Sequence, residues 1–541
     1  MRIYKIILLA CSLLSVHLCT GQSKSDTTQL PTDSLLVQKN VTLNFQEFEY
    51  VDWPIAYSKE SSIIPSIDVV FPKYDYEFER LTPSIKPLRY QLPAKPKIND
   101  GWLRLGMGNP NRIVADAGYD YTITDWYGFG ANFYHQQSKL KSAFRTFKNE
   151  IFVDLHGHYF LTPSIKAFTN IEFGSNQWGI QNVNLEKDET EILFKNSRRN
   201  NDFTINLGLH GTPYEKYNLT YGIHANYNNY SLYSEQSFQQ TIATKGFVKY
   251  KLSEPLMIKI EALSKNLITQ SYDQKQNDNL WAITPSLQYK LDLLDTEIGF
   301  LIDNDNTHKV DPILHIRYTT DQIPLSIHLY TDSKSKMLGM KEIVAANPYA
   351  AITIPATTRF HHDSYGLNLG YLVLNNTIQF GYSYNDINND FRFDYNSNNY
   401  LYSMDTVDYQ MHQFTFLVES NPLSWLRYNL TYNHFQYIEE TQLNYFPRNT
   451  VELNIGFNFF QDKLRIKSKS LLIDRHGYLD ENSMILDLDP IVDLSLSLDY
   501  LITDRISIFA SANNLLNKRY LQWREFQSYG FSTLSGVTVV F

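Results

Sequence analysis

Asp154, His156 and His158 stand at two-residue spacing and offer the densest metal-binding or catalytic chemistry in the sequence. They alternate with Val153, Leu155, Gly157 and Tyr159, so a strand here puts all three on one face. One carboxylate and two imidazoles so placed can ligate a metal, or act as a base with its orienting partner. No third ligand or nucleophile is identifiable beside them, and the plainer reading is a polar lumen wall. A second set, Lys463, Arg465, Lys467 and Lys469, places four cations on one face, against Leu464, Ile466 and Ser468. It suits an anion-selective stripe or a docking surface for an acidic segment. The simpler reading balances it with acids on neighbouring strands such as Glu452, Asp493 and Asp499. His361, His362 and Asp363 open a strand after a long loop and read as loop or interface chemistry without a metal.

These residues need elements to hold them, and composition narrows the choice. The 541 residues include 39 Tyr, 32 Phe and 7 Trp, an aromatic content of 14%, too high for a disordered chain. With 48 basic against 57 acidic residues the chain offers no basic patch, which excludes nucleic acid as a partner. Both cysteines, Cys11 and Cys19, fall within an apparent signal peptide with basic Arg2 and Lys5, an apolar run over Ile6 to Leu18, and a cut before Gln22. Leu8, Leu9, Ala10 and Cys11 also look like a lipobox, but a signal of ten residues is short for one. A mature chain without cysteine has no disulfide and no thiolate chemistry.

Beyond the signal no apolar run reaches the roughly 18 residues of a membrane-spanning helix. Period-2 alternation replaces it from residue 101 on. Val451, Leu453, Ile455, Phe457 and Phe459 alternate with Glu452, Asn454, Gly456 and Asn458. The same split recurs around Leu219 to Tyr227, Ile378 to Tyr384 and Leu494 to Tyr500. Alternating segments of about ten residues bounded by turns predict a transmembrane antiparallel β-barrel with its apolar face to lipid. Tyr428 and Tyr432 read as interface girdle residues.

Ten short links fit periplasmic turns: Thr124-Asp125, Pro163-Ser164, Glu215-Lys216, Glu254-Pro255, Asp295-Thr296, Gln322-Ile323, Asn375-Asn376, Asn421-Pro422, Gln461-Asp462 and Asp504-Arg505. Longer polar stretches at 181–201, 339–357 and 386–399 lie between them as outer loops. Ten turns join twenty strands. A first strand near Leu103 to Gly108 and a closing strand from Thr533 to Phe541 bring the expected total to 22, within a range of 18 to 24. The expected organisation is a signal peptide at 1–21, a periplasmic or lumenal segment at 22–100, and the barrel at 101–541. The middle segment holds eight of the 20 prolines and no glycine.

The run Asn513, Asn514, Leu515, Leu516, Asn517, Lys518, Arg519, Tyr520 after the strand Ile506 to Ala512 resembles the penultimate-strand motif of TonB-dependent outer-membrane receptors. Ser535 to Phe541 is similar to their closing strand with its terminal aromatic. The resemblance implies an outer-membrane location, lipid and lipopolysaccharide around the wall, and reading of the strand ending at Phe541 by the barrel-assembly machinery. It further implies a transport or envelope-complex role without enzymatic activity or cofactor, with other envelope proteins as partners. Receptors of that family carry a glycine-rich N-terminal plug, and no recognisable plug precedes the barrel here. A barrel this wide is ordinarily plugged, so the Pro-rich segment, inward-folded loops or a partner should fill the lumen. A passive porin, and more distantly an outer-membrane hydrolase built on Asp154, His156 and His158, are the alternatives.

Overall fold

The computed structural model describes residues 101–541 except 125, 140–146, 180–197, 212–217, 234–235, 272–273, 305–309, 321–323, 353–356, 374–375, 397–400, 439–442, 480–484, 524–525 and 529. The signal peptide, the segment 22–100 and the turns Glu215-Lys216 and Gln322-Ile323 lie outside the described residues.

Strands run in chain order as β1 (Gly101–Gly108), β2 (Arg112–Thr124), β3 (Tyr127–Lys139), β4 (Phe147–Thr162), β5 (Ile165–Trp178), β6 (Arg198–Gly211), β7 (Leu219–Leu232), β8 (Ser237–Ser253) and β9 (Leu256–Ser271). They continue as β10 (Gln274–Lys290), β11 (Leu294–Asp303), β12 (Val310–Thr319), β13 (Leu325–Leu338), β14 (Thr358–Val373), β15 (Asn376–Asn396), β16 (Leu401–Leu423), β17 (Leu426–Tyr437), β18 (Pro447–Phe459) and β19 (Leu464–Arg475). The last are β20 (Tyr478–Leu479), β21 (Ile485–Leu486), β22 (Ile491–Thr503), β23 (Ile506–Asn513), β24 (Leu521–Trp523), β25 (Phe526–Gln527) and β26 (Ser532–Val540). One short helix, α1 (Met340–Ala346), sits between β13 and β14.

Twenty-two of these strands form one antiparallel sheet, while β20 with β21 and β24 with β25 make two small ribbons. The sheet closes because β1 pairs with β2 on one side and β26 on the other. Closure removes both sheet edges, which a lipid-facing sheet cannot leave unpaired. The seam is tight: Gly106 and Gly536 are opposite each other. A Cβ on Gly536 would lie 1.9 Å from the Leu105 carbonyl oxygen, so only glycine fits there.

The alternation becomes an inside and an outside. Leu155, Ile223, Ile298, Phe380 and Leu496 are all at least 41% exposed on the outer wall. Asp154, Asn226, Glu297, Gly381 and Ser495 take the opposite parity and face the lumen. An apolar exterior around a polar interior is stable only with lipid outside. Among the described residues no helix is long and apolar enough to cross a membrane, and the crossing is made by strands.

The expected count of 22 strands is met, with some boundaries displaced. Asp295-Thr296 lies within β11. The turn falls at Asp292-Leu293, where Leu291 and Leu294 exchange backbone hydrogen bonds of 2.7 and 3.2 Å. Asn421-Pro422 lies within β16, which absorbs the proline at a register shift between Ser420 and Leu423. The stretch 386–399 is largely strand, since β15 and β16 stay paired out to Asn396 and Leu401. A bulge lets the ladder continue there: Asn389, at a φ of 58°, takes up the extra residue between Ile387 and Asp390. The Asn-Leu-Leu-Asn run is a turn. Asn514 and Asn517 occupy the left-handed region at φ 48° and 50°. The Asn514 side chain accepts from the Lys518 N–H and donates to the Lys518 carbonyl.

Candidate functional site

Of the residues picked out in the sequence, Asp154 and His156 are brought together and His158 is not. The His156 ring stands between two carboxylates, with Nδ1 2.9 Å from Asp154 Oδ2 and Nε2 2.8 Å from Asp120 Oδ1. Asn132 donates to the same Asp154 oxygen at 2.9 Å. Room for this bridge comes from Gly130, opposite His156 in the ladder. A Cβ there would lie 2.3 Å from both Asp120 Oδ1 and His156 Nε2. His158 instead packs edge-on against Phe160. The arrangement holds a proton between fixed partners, and no hydroxyl or thiol nucleophile is bonded to it among the described residues. Asp120, 36 residues away on β2, was missed in the sequence because only the barrel register brings it alongside.

The cationic stripe divides as well. Arg465, Lys467 and Lys469 face the lumen from β19, opposite Asp499, Ser497 and Ser495 of β22. Lys469 reaches Glu452 at 3.4 Å. Lys463 precedes the strand and sits in the periplasmic turn, its N–H bonded to the Phe460 carbonyl. The positive face is thus interleaved with acids on both sides.

The feature not foreseen is at the outer end. The outer halves of β13 and β14 bend into the lumen and lie against the interior faces of β9 and β10, where Met337 packs on Leu267 and Leu280. The connection between them then crosses the mouth. Its α1 is fixed by the Met340 N–H on Gln239 Oε1 at 3.0 Å, by Lys341 on Asp202 at 2.7 Å, and by Lys265 on Glu342 at 3.4 Å. Beyond the helix, Arg198 of β6 donates to the carbonyls of Pro348 and Ala350 at 2.5 and 2.6 Å. From the other wall Tyr402 of β16 pairs with Ala350 through the backbone. In the closed ring β6 and β16 are ten strands apart, so the connection spans nearly the full diameter.

An aromatic and aliphatic cluster fills the space around it. Met340, Ile343, Val344, Ala350 and Ile352 bury against Tyr230 and Leu232 from one side and Phe391, Phe393 and Tyr402 from the other. Trp523 joins from the β24–β25 ribbon, its ring edge-on to Tyr402 and tilted against Tyr445. That ribbon is tied to the wall by Arg475, which donates to the Leu521 and Gln522 carbonyls at 2.7 and 2.8 Å. The sequence carried a signal for this: 339–357 holds Ile343, Val344, Ala350 and Ile352 where a solvated outer loop should be polar. Below the cap a polar pocket opens in the wall, lined by Asp332, Lys334, His362, Asn385 and Gln413.

Comparison with solved structures finds the same barrel fold in outer-membrane receptors and transporters. The chain is similar to the ferric enterobactin receptor PfeA of Pseudomonas aeruginosa, with a TM-score of 0.64, 10% identity, and 82% of this chain and 80% of that one covered. Equal coverage, identity and score relate it to the siderophore receptor PirA of Acinetobacter baumannii. The FrpB iron transporter of Neisseria meningitidis matches at a TM-score of 0.62 and 10% identity, covering 82% of this chain and 81% of that one. The fold is therefore that of the 22-stranded barrels of TonB-dependent receptors, as the C-terminal motif implied. No sequence family and no curated protein matches the chain.

Proposed function

We propose that this chain is an outer-membrane transport barrel of the receptor type, non-enzymatic, and closed at its outer mouth by its own loops until a ligand or partner opens it. The observation that carries the reading is the connection across the mouth, joined to a barrel fold shared with siderophore and iron transporters. A passive porin needs a continuous water path. A cluster of twelve buried side chains, where the mouth-crossing connection packs between opposite walls, opposes one. Iron-chelate receptors suggest a cargo of similar kind, and the polar pocket around Lys334 and His362 is where it would meet the wall after the cap opens. Lipid and lipopolysaccharide surround the barrel in this reading, the assembly machinery reads the strand ending at Phe541, and export uses the signal at 1–21.

Recording currents from the full-length protein in planar bilayers tests this. Low, brief currents are expected; large, stable ones would make it an open porin. The hydrolase alternative rests on His156 and His158. Alanine at both positions is expected to leave envelope functions and heat-modifiable mobility intact, and loss of a hydrolytic activity would revive it.

A further inference from the structure

Where the bent β13 and β14 meet β11 and β12, two strands place ligating atoms at one point. Asp311 stands at the start of β12 and is 8% exposed, while His361 and Asp363 come from β14 some fifty residues later. One oxygen of each carboxylate and a ring nitrogen of the histidine all lie within 4.8 Å of one another. His361 Nε2 is 3.2 Å from Asp363 Oδ1 and 3.5 Å from Asp311 Oδ2. Ligands about 2.0–2.1 Å from a tetrahedral metal stand roughly 3.3 Å apart, so both histidine–carboxylate spacings match those around one ion.

The tautomer fits too. Ser335 Oγ bonds both Asp303 and His361 Nδ1, the latter at 2.9 Å. A carboxylate only accepts, so the single serine proton goes to Asp303 and Ser335 must accept from Nδ1–H. In neutral imidazole that leaves the Nε2 lone pair aimed between two carboxylate oxygens, an arrangement that asks for a cation at its centre. Fixing one ring nitrogen through a hydroxyl and a carboxylate is how protein sites orient a metal-binding histidine. The Ser333 hydroxyl holds Asp363 in turn, at 2.6 Å.

We propose that Asp311, His361 and Asp363 form a binding site for one divalent first-row transition cation, which ties the infolded β13–β14 hairpin to the wall. One imidazole and two carboxylates suit Zn²⁺ or a similar ion, with a fourth position open to water. The superficially similar set at Asp120, His156 and Asp154 does not converge. There the two carboxylates take opposite ring nitrogens, so no point is shared by all three. The proposal does not depend on what the barrel carries. It departs from the metal-free sequence reading of His361 and Asp363 because Asp311 and Asp303 reach the cluster only through the fold.

The test uses the full-length, tag-free protein in detergent, stripped with a chelator and titrated with Co²⁺ and then Zn²⁺. One saturable site is expected, with the visible absorption of low-coordinate Co²⁺ abolished by equimolar Zn²⁺. His361→Ala and Asp363→Asn should weaken binding at least about tenfold, with Ser335→Ala about tenfold weaker and His156→Ala unchanged. Unchanged binding in His361→Ala overturns the site. Should that variant lose heat-modifiable mobility, the wild-type Co²⁺ spectrum decides, and the lack of a saturable band means that His361 is an imidazolium paired with its two carboxylates.

Discussion

A guanidinium withdrawn from water must find acceptors for its donors, and Arg198 finds two in the carbonyls of Pro348 and Ala350. Its planar fork reaches both at once, which a lysine ammonium does not reproduce. Arg198→Lys is therefore expected to keep the barrel but cost about 2 kcal/mol at the cap. A lower melting temperature and new protease cleavage near residues 348–352 would report it. At His156 the constraint is space. Gly130→Ala drives a methyl into the bridge to Asp120 and should lower stability by about 1 kcal/mol, discounted for the exposure of Asp120. Gly157→Ala is the comparison: its Cβ would meet nothing closer than 3.4 Å, and its effect should stay within about 0.5 kcal/mol in the same thermal melts. Asp154 with His156 was legible because period 2 alone puts them on one face. Asp120 and Arg198 were not, since their partners lie 36 and 150 residues away.

Elements gave up their parity readily and their ends less so. The tip of β15–β16 runs beyond the roughly ten residues that cross a membrane, with Asp390 fourteen positions past Asn376. Both faces of this tip are covered, one by the mouth cluster and one by Tyr437 and Leu443. Polar residues at 386–390 and 394–399 suggested a loop, but Phe391, Phe393 and Tyr395 keep the alternation and the neighbouring loops bury them. Burial pushes the Asp390 carboxyl above its ordinary range, against the pull of hydrogen bonds from the Tyr409 hydroxyl and the Phe391 N–H, both 2.8 Å. The packed tip thus favours the protonated acid. A raised folded pKa means that proton uptake accompanies packing, so the tip loses stability as pH rises from the ordinary carboxylate range through the raised value. Hydrogen exchange over 387–409 should be faster at pH 7.5 than at pH 4.5 after correction for intrinsic rates. In Asp390→Asn that difference should shrink. A larger difference in the variant would contradict the assignment.

At the scale of the whole molecule, the barrel could be read from the chain because its rule is local. Each strand announces its outer face, each short turn its periplasmic end, and 22 follows from counting. Closure of the mouth could not be read so, because it depends on which distant walls Ile343, Ala350 and Tyr402 meet, and no periodicity encodes that. The apolar content of 339–357 was the one hint. The result is a wide barrel whose outer opening is crossed by a segment held from opposite walls, on a fold shared with transport receptors. The most direct check is a paired bilayer recording of the intact full-length protein and a variant with residues 340–352 replaced by a Gly-Ser linker of equal length. Both should run as heat-modifiable barrels, with the intact protein nearly silent and the variant passing several-fold larger, stable currents. Equal currents from the two would contradict closure by this segment.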